Sequence, residues 1–235
     1  MTRRMIIAID GPSGAGKSTL GRMLARELGL LYLDTGAMYR AVAYAALRSG
    51  ADTTDGEAMA KVAREANIEL AGDPDSLQVL LDGHDISKEI RSEAAGHSAS
   101  IISAIPKVRR ELVRRQRELG ARGGVVLDGR DIGTVVFPDA DAKFFLTATP
   151  EQRAGRRYDE ERRRAPDLNY EEILHDINAR DNRDSSRTDS PLAIADNAVV
   201  FDTTELSIEE VFGRMLEVVQ SKIASQGHSH SSERS

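Results

Sequence analysis

The chain has 235 residues, of which 40% are hydrophobic, and this length suits one α/β domain or one core domain with small insertions. It carries a formal net charge of −6, which argues against bulk affinity for nucleic acid, and it has no cysteine, which excludes disulfides, thiolate zinc sites and thiol catalysis. Its apolar runs are shorter than a membrane span and no signal-type segment follows residues 1–4, so we expect a cytoplasmic protein without membrane contact.

Near the start of the chain, a glycine-rich loop separates an apolar run from a helical pattern. The run at 5–10 is typical of a buried parallel strand, and Leu20, Leu24 and Leu28 follow the loop at helical spacing. Strand, loop and helix together are the context in which a phosphate loop occurs. The loop fits the pattern G-x-x-x-x-G-K-[ST] through Gly11, Pro12, Ser13, Gly14, Ala15, Gly16, Lys17, Ser18 and Thr19.

The residue types of this loop predict a site for a nucleoside triphosphate. Glycines allow backbone angles that direct successive N–H groups at an anion, and the helix start adds unpaired amides and a positive dipole end. Lys17 has the reach to contact the β and γ phosphates, and the Ser18 hydroxyl is a ligand for Mg²⁺.

A second anion site is suggested after the next short strand, at 31–33. Thr35 stands where an N-cap is expected for a helix from Ala37 to about Leu47, and Tyr39 and Arg40 fall on its first turns. Thr35, the helix amides and Arg40 together could hold a phosphate. An ordinary cap with a solvated arginine is the alternative.

The segment from 57 to 120 is predicted to contain a small antiparallel insertion between helices. Residues 57–66 look helical, whereas three short β-like pieces separated by turns occupy 68–86. A helix from Pro106 to about Gly120 carries many arginines, which we interpret mainly as a solvated face. His84 and His97 lack partners at ligand spacing and are interpreted as surface residues.

An apolar strand at 125–127 ends in Asp128, which is the pattern of a carboxylate that holds Mg²⁺ directly or through water. Arg130 and Asp131 follow at the carboxyl end of this strand, where open parallel sheets bind their ligands. The alternative for Asp128 is a turn residue before Gly129.

A strand at 143–147 and the helix start Thr149-Pro150-Glu151 come next. Arg153, Arg156 and Arg157 share one face of that helix, and a polar loop follows at 162–167. Arginines on a helix before a mobile loop predict a lid that closes over phosphates, with a plain charged face as the alternative.

The helix predicted from Tyr170 to Arg187 carries a stripe that changes from apolar to charged. Its members lie at steps of 4, 3, 4 and 3 residues, so they share one face that leads from the interior into a polar cavity or, alternatively, into solvent. They are Ile173, Ile177, Arg180, Asp184 and Arg187.

The end of the chain is predicted to contain a strand at 198–202 and a final helix that opens with the capping box Ser207-Ile208-Glu209-Glu210. The low-complexity segment 226–235 is expected to be disordered, and we assign no metal to its His228 and His230.

These features favour a small kinase whose acceptor carries its own phosphate. The D-x-x-G and N-K-x-D motifs of a GTPase are absent from the sequence, whereas a second anion-ready helix start and arginines at 40, 130, 180 and 187 are present. Transfer between two polyanions needs charge neutralisation and alignment more than covalent help.

Over about residues 5–220 the chain resembles the bacterial cytidylate kinases, which belong to the nucleoside monophosphate kinases. The resemblance rests on I-D-G-P-S-G-A-G-K-S-T at 9–19, D-T-G-A-M-Y-R at 34–40, D-G-R-D-I-G-T-V-V-F-P at 128–138 and A-R-D-N-R-D-S-S-R at 179–187. Thr35 departs from the serine common in the family, although both supply a hydroxyl, and the lid stretch 157–168 matches least well.

The resemblance implies an α/β P-loop kinase fold, with a five-stranded parallel sheet flanked by helices, a small β-containing NMP-binding insertion and a helical lid. We accordingly expect one domain at 1–225, with core 1–35, 121–152 and 188–225, insertion about 36–120, lid about 153–170, and a tail at 226–235. A monomer that does not bind nucleic acid is expected.

The resemblance also implies roles for individual residues. The CMP phosphate would be held by Thr35, Arg40, Arg130 and Arg187, with Tyr39 beside them in the substrate site. Arg180 and Asp184 would contact the ribose, and Ser100, Arg109 and Asp131 would read the cytosine edge. Catalytic roles fall to Lys17, Arg130, Arg187, Arg153 and Arg157, and the Mg²⁺ ligands would be Ser18 and Asp128.

The expected reaction is transfer of the ATP γ-phosphoryl group to the phosphate of CMP or dCMP. Asp131 would accept from the cytosine amino group and repel the uracil carbonyl, which makes it the expected discriminator. Two alternatives stay open: a kinase of another acceptor such as UMP or shikimate, and a nucleotide-dependent binding module whose basic face at 107–117 docks RNA or a partner.

Overall fold

The protein, seen here in a computed structural model that describes residues 4–162 and 168–229, is built on a parallel sheet. In chain order its strands and helices are β1 (Ile6–Asp10), α1 (Lys17–Leu28), β2 (Leu31–Asp34), α2 (Thr35–Ser49), α3 (Gly56–Glu65), β3 (Ile68–Ala71), β4 (Gln78–Leu81), β5 (His84–Asp85), α4 (Glu93–Ile102), α5 (Pro106–Gly120), β6 (Val125–Gly129), β7 (Ala142–Thr147), α6 (Pro150–Glu161), α7 (Tyr170–Ser186), β8 (Val199–Asp202) and α8 (Ile208–Ser229). A 3₁₀ turn (Glu89–Arg91) and a π-helical turn (Ile132–Val136) complete the described elements.

The five-stranded parallel sheet that the resemblance implied is confirmed, and its strand order is β2-β6-β1-β7-β8. All five residues of β1 are buried because helices cover both faces of the sheet. In the register of β1 with β6, Ile9 lies beside Asp128 and Asp10 beside Gly129. The phosphate loop and the turn after β6 therefore leave the sheet next to each other at its carboxyl edge.

The two faces of the sheet carry separate hydrophobic clusters. On one face, Ile7 and Ile9 pack with Leu24 of α1 and Met215 of α8. On the other face, alternate residues of the same strands pack with α5 and the π-helical turn. This two-sided burial fixes the positions of the loops at the carboxyl edge.

The segment between β2 and β6 forms a second unit around its own core. The three antiparallel pieces predicted at 68–86 are confirmed as the sheet β3-β4-β5. The helix α4, which the sequence analysis left unassigned, packs through Ala99 and Ile102 against α2 and α5. Its N-cap is Ser92, whose hydroxyl accepts from Ala95 N at 3.2 Å.

The two helices after β7 pack against each other. Thr149 caps α6 as predicted, with its hydroxyl accepting from Gln152 N at 3.2 Å. Ala154 of α6 contacts Ile173 and Ile177 of α7, so the apolar half of the predicted stripe is core. Part of the predicted lid loop, at 163–167, lies outside the described residues.

The final helix extends beyond residue 226, where the tail was predicted to begin. α8 runs to Ser229, so 226–229 are helical and only 230–235, outside the described residues, remain of the segment expected to be disordered. Near the end of this helix, Ser225 Oγ donates to Ser221 O at 2.7 Å. Among the described helices, this longest one included, none is both long and apolar enough to cross a membrane.

The predicted capping box of α8 is confirmed and yields a stability prediction. Ser207 Oγ accepts from Glu210 N at 3.2 Å, and Glu210 Oε2 accepts from Ser207 N at 2.8 Å. We expect Ser207→Ala to lower the free energy of unfolding by about 1 kcal/mol in urea denaturation, because an N-terminal amide of the helix loses its acceptor.

The matched control is Ser221→Ala on the same helix, whose hydroxyl donates to Val218 O within the helix. This change should stay within about 0.5 kcal/mol of the wild type. An equal loss in the two variants would mean that the capping box contributes nothing specific.

Candidate active site

A cleft of about 770 Å³ opens at the carboxyl edge of the main sheet. Its walls come from the phosphate loop, the start of α2, the turn after β6, and α5, α6 and α7. The predicted site residues that line it are Ser13, Gly14, Gly16, Lys17, Ser18, Thr19, Thr35, Tyr39, Arg40, Arg109, Asp128, Arg130, Asp131, Arg157, Arg180, Asp184 and Arg187. All predicted site residues lie in the described ranges, and those that do not line the cleft are Gly11, Pro12, Ala15, Ser100 and Arg153.

The phosphate loop needs its first glycine for steric reasons. Gly11 has φ of 145°, and a Cβ at this position would lie 2.0 Å from the carbonyl oxygen of Leu146 on β7. No other residue fits so close to a neighbouring strand. The loop is thereby held against the sheet, with the first turn of α1 facing the cleft.

Lys17 is a buried basic residue whose amino group lines the cleft. Its Nζ donates to Pro12 O at 2.6 Å, and its side chain is almost fully enclosed. Burial, followed by the charge of Arg130, lowers the pKa of Lys17 to about 7. A phosphate beside Nζ would favour the charged form and reverse this shift.

Ser18 and Asp128 form an oxygen pair that fits Mg²⁺. Ser18 Oγ donates to Asp128 Oδ2 at 2.7 Å, and Asp128 Oδ1 is buried without a hydrogen bond of normal geometry among the described residues. Burial, followed by the charge of Asp34, raises the pKa of Asp128 to about 6. A hard cation bound here would supply a positive charge next to this carboxylate and would favour its ionised form.

The start of α2 differs from the sequence interpretation. Asp34, not Thr35, is the N-cap of α2, and its Oδ1 accepts from Ala37 N at 2.9 Å. Thr35 Oγ1 donates to Asp128 O at 2.6 Å, because β2 pairs with β6 at this point. Asp34 also binds Arg40 at 2.8 Å, so one carboxylate caps the helix and orients the arginine.

A single buried carboxylate holds two of the predicted phosphate-binding arginines. Asp184 accepts from Arg130 Nε at 2.8 Å and pairs with Arg187 through its other oxygen. Burial alone would raise the pKa of Asp184, but the charges of Arg130 and Arg187 outweigh it and hold that pKa below its usual value. Two guanidinium groups are thus kept side by side in the cleft.

The remaining donors in this cluster are free for a ligand. Nε and Nη1 of Arg187 and Nε of Arg180 are buried and have no acceptor among the described residues. Burial, with the charge of Arg130 second, lowers the pKa of Arg180 to about 9. Buried N–H groups without acceptors are costly, and an anion bound here would satisfy them.

The predicted base-reading residues are partly assembled at the other end of the cleft. Arg109 pairs with Asp131 at 2.5 Å and lies over the ring of Tyr39, 5.7 Å from its centroid. Ser100 is buried behind this wall, where its hydroxyl accepts from Arg183 Nε at 3.2 Å. Ser103, which the sequence analysis did not identify, lines the cleft and binds Arg187 at 2.8 Å.

The three arginines of α6 have different surroundings. Arg153 is buried and donates to Ser13 O at 3.1 Å while pairing with Asp181, so it connects the phosphate loop to α7. Arg156 donates to Thr203 O at 2.5 Å. Arg157 lines the cleft and pairs with Glu161 at 2.9 Å. Direct contact with phosphate is therefore geometrically simplest for Arg157 and Arg156.

Sequence reasoning identified Asp184 but missed three other carboxylates that hold this site together. Asp10 and Asp34 are the last residues of β1 and β2, and this position at a strand end was a signal that the motif analysis did not use. Asp181 follows Arg180 directly, but its partner Arg153 lies 28 residues away, a distance that no local pattern spans.

The sequence matches the family model for cytidylate kinase over residues 7–221. The cytidylate kinase of Bacillus velezensis is 47% identical over 222 residues, which cover 94% of this chain and 99% of that protein. That of Caldanaerobacter subterraneus is 49% identical over 214 residues, covering 91% and 94%. Among solved structures, an uncharacterised protein from Eubacterium ventriosum aligns over 93% of this chain with a TM-score of 0.53 and 10% identity.

The buried Asp10 yields a prediction for the pH dependence of stability. Burial, opposed by hydrogen bonds from Gly133 and Ile132, raises the pKa of Asp10 from 3.8 to about 7. The folded protein then keeps this proton longer than the unfolded chain, so the associated stability is full below pH 3.8 and is lost as pH rises toward 7.

Asp10→Asn removes this titration. In urea denaturation across this range, we expect the wild type to lose stability relative to Asp10→Asn by about 1.4 kcal/mol per unit of pKa shift, and the difference to level off at higher pH. Parallel pH profiles for the two proteins would contradict the assignment.

Proposed function

The chain belongs to the cytidylate kinase family, and on this premise we propose that it transfers the γ-phosphoryl group of ATP to CMP or dCMP. The products are ADP and CDP or dCDP. The observation that supports this most strongly is the pairing of Arg130 and Arg187 on Asp184, in the same cleft as Lys17 of the phosphate loop. Such a cleft has cationic groups for a donor phosphate and for an acceptor phosphate.

The donor side consists of the phosphate loop. The triphosphate would lie along the loop amides and the start of α1, with Nζ of Lys17 on the β and γ phosphates. When phosphate binds, Nζ of Lys17 would donate to it instead of to Pro12 O, and the phosphate charge would favour the protonated form of the amine. Arg157, and Arg156 after a change of partner, would contact the transferring group from α6.

The acceptor side is formed by arginines that carboxylates hold in advance. Nε and Nη1 of Arg187 have no acceptor among the described residues, and Arg130 and Arg40 each keep donors beyond those bound to Asp184 and Asp34. The CMP phosphate would take these positions. Because the arginines are already oriented, less side-chain entropy is lost when the phosphate binds.

The chemical step needs alignment rather than a general base. An acceptor phosphate oxygen, already ionised near neutral pH, forms a bond to the γ phosphorus while the bond to the ADP oxygen breaks. Lys17 and the arginines stabilise the charge that spreads over the transferring oxygens. Closure of the lid and the insertion would exclude water and so suppress ATP hydrolysis.

Asp131 and Arg109 are proposed to read the base. Asp131 accepts from the cytosine amino group, and Arg109 donates to ring acceptors while its pairing with Asp131 keeps both groups oriented. Uracil presents a carbonyl to Asp131 and is repelled. The contacts of Arg180 and Asp184 with the ribose, and of Ser100 with the base, stay predictions.

Mg²⁺ is proposed as the cofactor, held by Ser18 and Asp128. When bound there with ATP, it would neutralise phosphate charge that Lys17 alone does not offset. The monomeric state, the cytoplasmic location and the predicted domain boundaries also stay predictions.

The alternative of an RNA-binding module is disfavoured by the face of α5. Arg114 pairs with Glu111 at 2.6 Å and with Glu118 at 2.5 Å, and Arg117 donates to Val135 O at 2.6 Å. Arginines engaged within the protein are less available to a phosphate backbone. The acidic net charge points the same way.

The first test measures ADP release with ATP and Mg²⁺ against CMP, dCMP, UMP, AMP and shikimate. We expect fast turnover with CMP and dCMP and weak turnover with UMP. Arg187→Ala should lower kcat/KM for CMP on the order of 100-fold, and Asp131→Ala should lower the preference for CMP over UMP about tenfold or more.

Arg110→Ala on the exposed face of α5 is the control and should behave like the wild type. If UMP equalled CMP in the wild type, the role of Asp131 would be wrong while the kinase assignment survived. If no acceptor raised ADP release above background, the kinase assignment itself would be wrong.

The metal site has a separate test. Removal of Mg²⁺ by a chelator should abolish transfer, and Asp128→Asn should raise the Mg²⁺ concentration for half-maximal rate by about tenfold. Asp141→Asn, whose carboxylate accepts from Ile6 N at the opposite edge of the sheet, serves as control. An unchanged Mg²⁺ requirement in Asp128→Asn would remove Asp128 from the metal site.

A further inference from the structure

The turn that carries Arg130 and Asp131 begins a short π-helical segment with an unusual cap. Asp131 occupies its N-cap position, yet the Asp131 side chain makes no capping hydrogen bond. Aspartate at an N-cap normally accepts from the first free N–H groups of the helix. Here the Asp131 carboxylate pairs instead with Arg109, facing the cleft.

The free amides of this turn are capped from another strand. Asp10, at the end of β1, accepts from Ile132 N at 2.8 Å and from Gly133 N at 2.7 Å. Only 2% of Asp10 is exposed, and a Cβ on Gly133 would lie 3.3 Å from Asp10 Oδ2 and 3.1 Å from Cβ of Ala195. The fit is close on both sides, so the carboxylate holds the turn tightly.

We propose that Asp10 is a positioning residue that caps the turn in place of Asp131 and thereby leaves the Asp131 carboxylate free to read the base. This inference rests on the proposed function, since it assigns Asp10 a part in base selection by the same site. It also links the two halves of the cleft, because Asp10 directly precedes the phosphate loop at Gly11.

The physical reason is competition for two buried N–H groups. Without Asp10, these amides have no acceptor, and the carboxylate at the N-cap position is the one that can reach them by a side-chain rotation. Asp131 would then leave Arg109 and turn away from the base.

The test compares Asp10→Ala and Asp10→Asn with the wild type in CMP, UMP and ATP kinetics. For Asp10→Ala we expect the ratio of kcat/KM for CMP to that for UMP to fall about tenfold or more, while KM for ATP stays within about twofold. Asp10→Asn should give an intermediate ratio, because its amide oxygen still accepts from one N–H. This variant replaces Asp10→Ala in the test if the alanine variant fails to fold.

A double variant separates positioning from a general structural role. If Asp10 acts through Asp131, adding Asp10→Ala to Asp131→Ala should cause no further loss of CMP selectivity. Asp141→Ala is the matched control, since Asp141 Oδ2 accepts from Ile6 N at 2.7 Å at the other end of β1. It should lower stability and leave the selectivity of the enzyme unchanged.

Retained selectivity in Asp10→Ala, an equal rise in KM for ATP and CMP, or additive losses in the double variant would each overturn the role of Asp10. A wild-type enzyme without preference for CMP over UMP would overturn the base-reading role of Asp131 in the proposed function. That result is visible before any Asp10 variant is made, so the two failures are distinguishable.

Discussion

The cleft is constrained by the repulsion between cations that it gathers in a small, largely buried space. Lys17, Arg130, Arg180 and Arg187 all line it, and the charge of Arg130 lowers the pKa of both Lys17 and Arg180. Without anions nearby, such a cluster would be strongly unfavourable. Buried carboxylates make it stable in the free protein, and Asp184, which binds two of the arginines, contributes most directly. The site is therefore organised by anions before any phosphate arrives.

This arrangement explains why the cleft suits two phosphates rather than one. Arg40, Arg130 and Arg187 each use part of the guanidinium group on a carboxylate and keep other N–H groups for a ligand, so a bound phosphate would add to the internal pairs. Lys17, by contrast, has a carbonyl oxygen as its one hydrogen-bond partner among the described residues, and in the proposed reaction it would exchange this partner for a charged phosphate oxygen. The donor site gains electrostatic energy mainly on binding, whereas the acceptor site is oriented beforehand.

The parts of the site that the sequence predicted are those carried by local patterns. The phosphate loop, Asp128 after its strand, and the stripe on α7 each follow from spacing within about 20 residues. The sequence did not predict that Asp34, rather than Thr35, is the N-cap of α2. Both residue types occur at N-caps, and the hydroxyl of Thr35 instead donates to Asp128 O on the neighbouring strand. The hydrogen bonds of Asp10 could not be predicted from the sequence either, since its partners lie more than 120 residues away. Helix α4, which Ser92 caps and which packs against α2 and α5, was also missed.

Helix α7 connects α6 with α4 through charged side chains. Asp181 on this helix binds Arg153 of α6, and Arg183 donates to Ser100 of α4. The same helix carries Arg180 and Asp184 into the cleft, and Arg187 follows at its end. A shift of α6 toward a bound triphosphate would thus be transmitted through α7 to the acceptor arginines and to α4 behind the base site. Arg153 and Arg157 of α6 already pair with carboxylates, and Asp184 of α7 already pairs with two arginines, so closure of the proposed lid would proceed by exchanging these ion pairs and would bury few unpaired charges. This is the condition under which a lid closes over two polyanions without a large desolvation penalty.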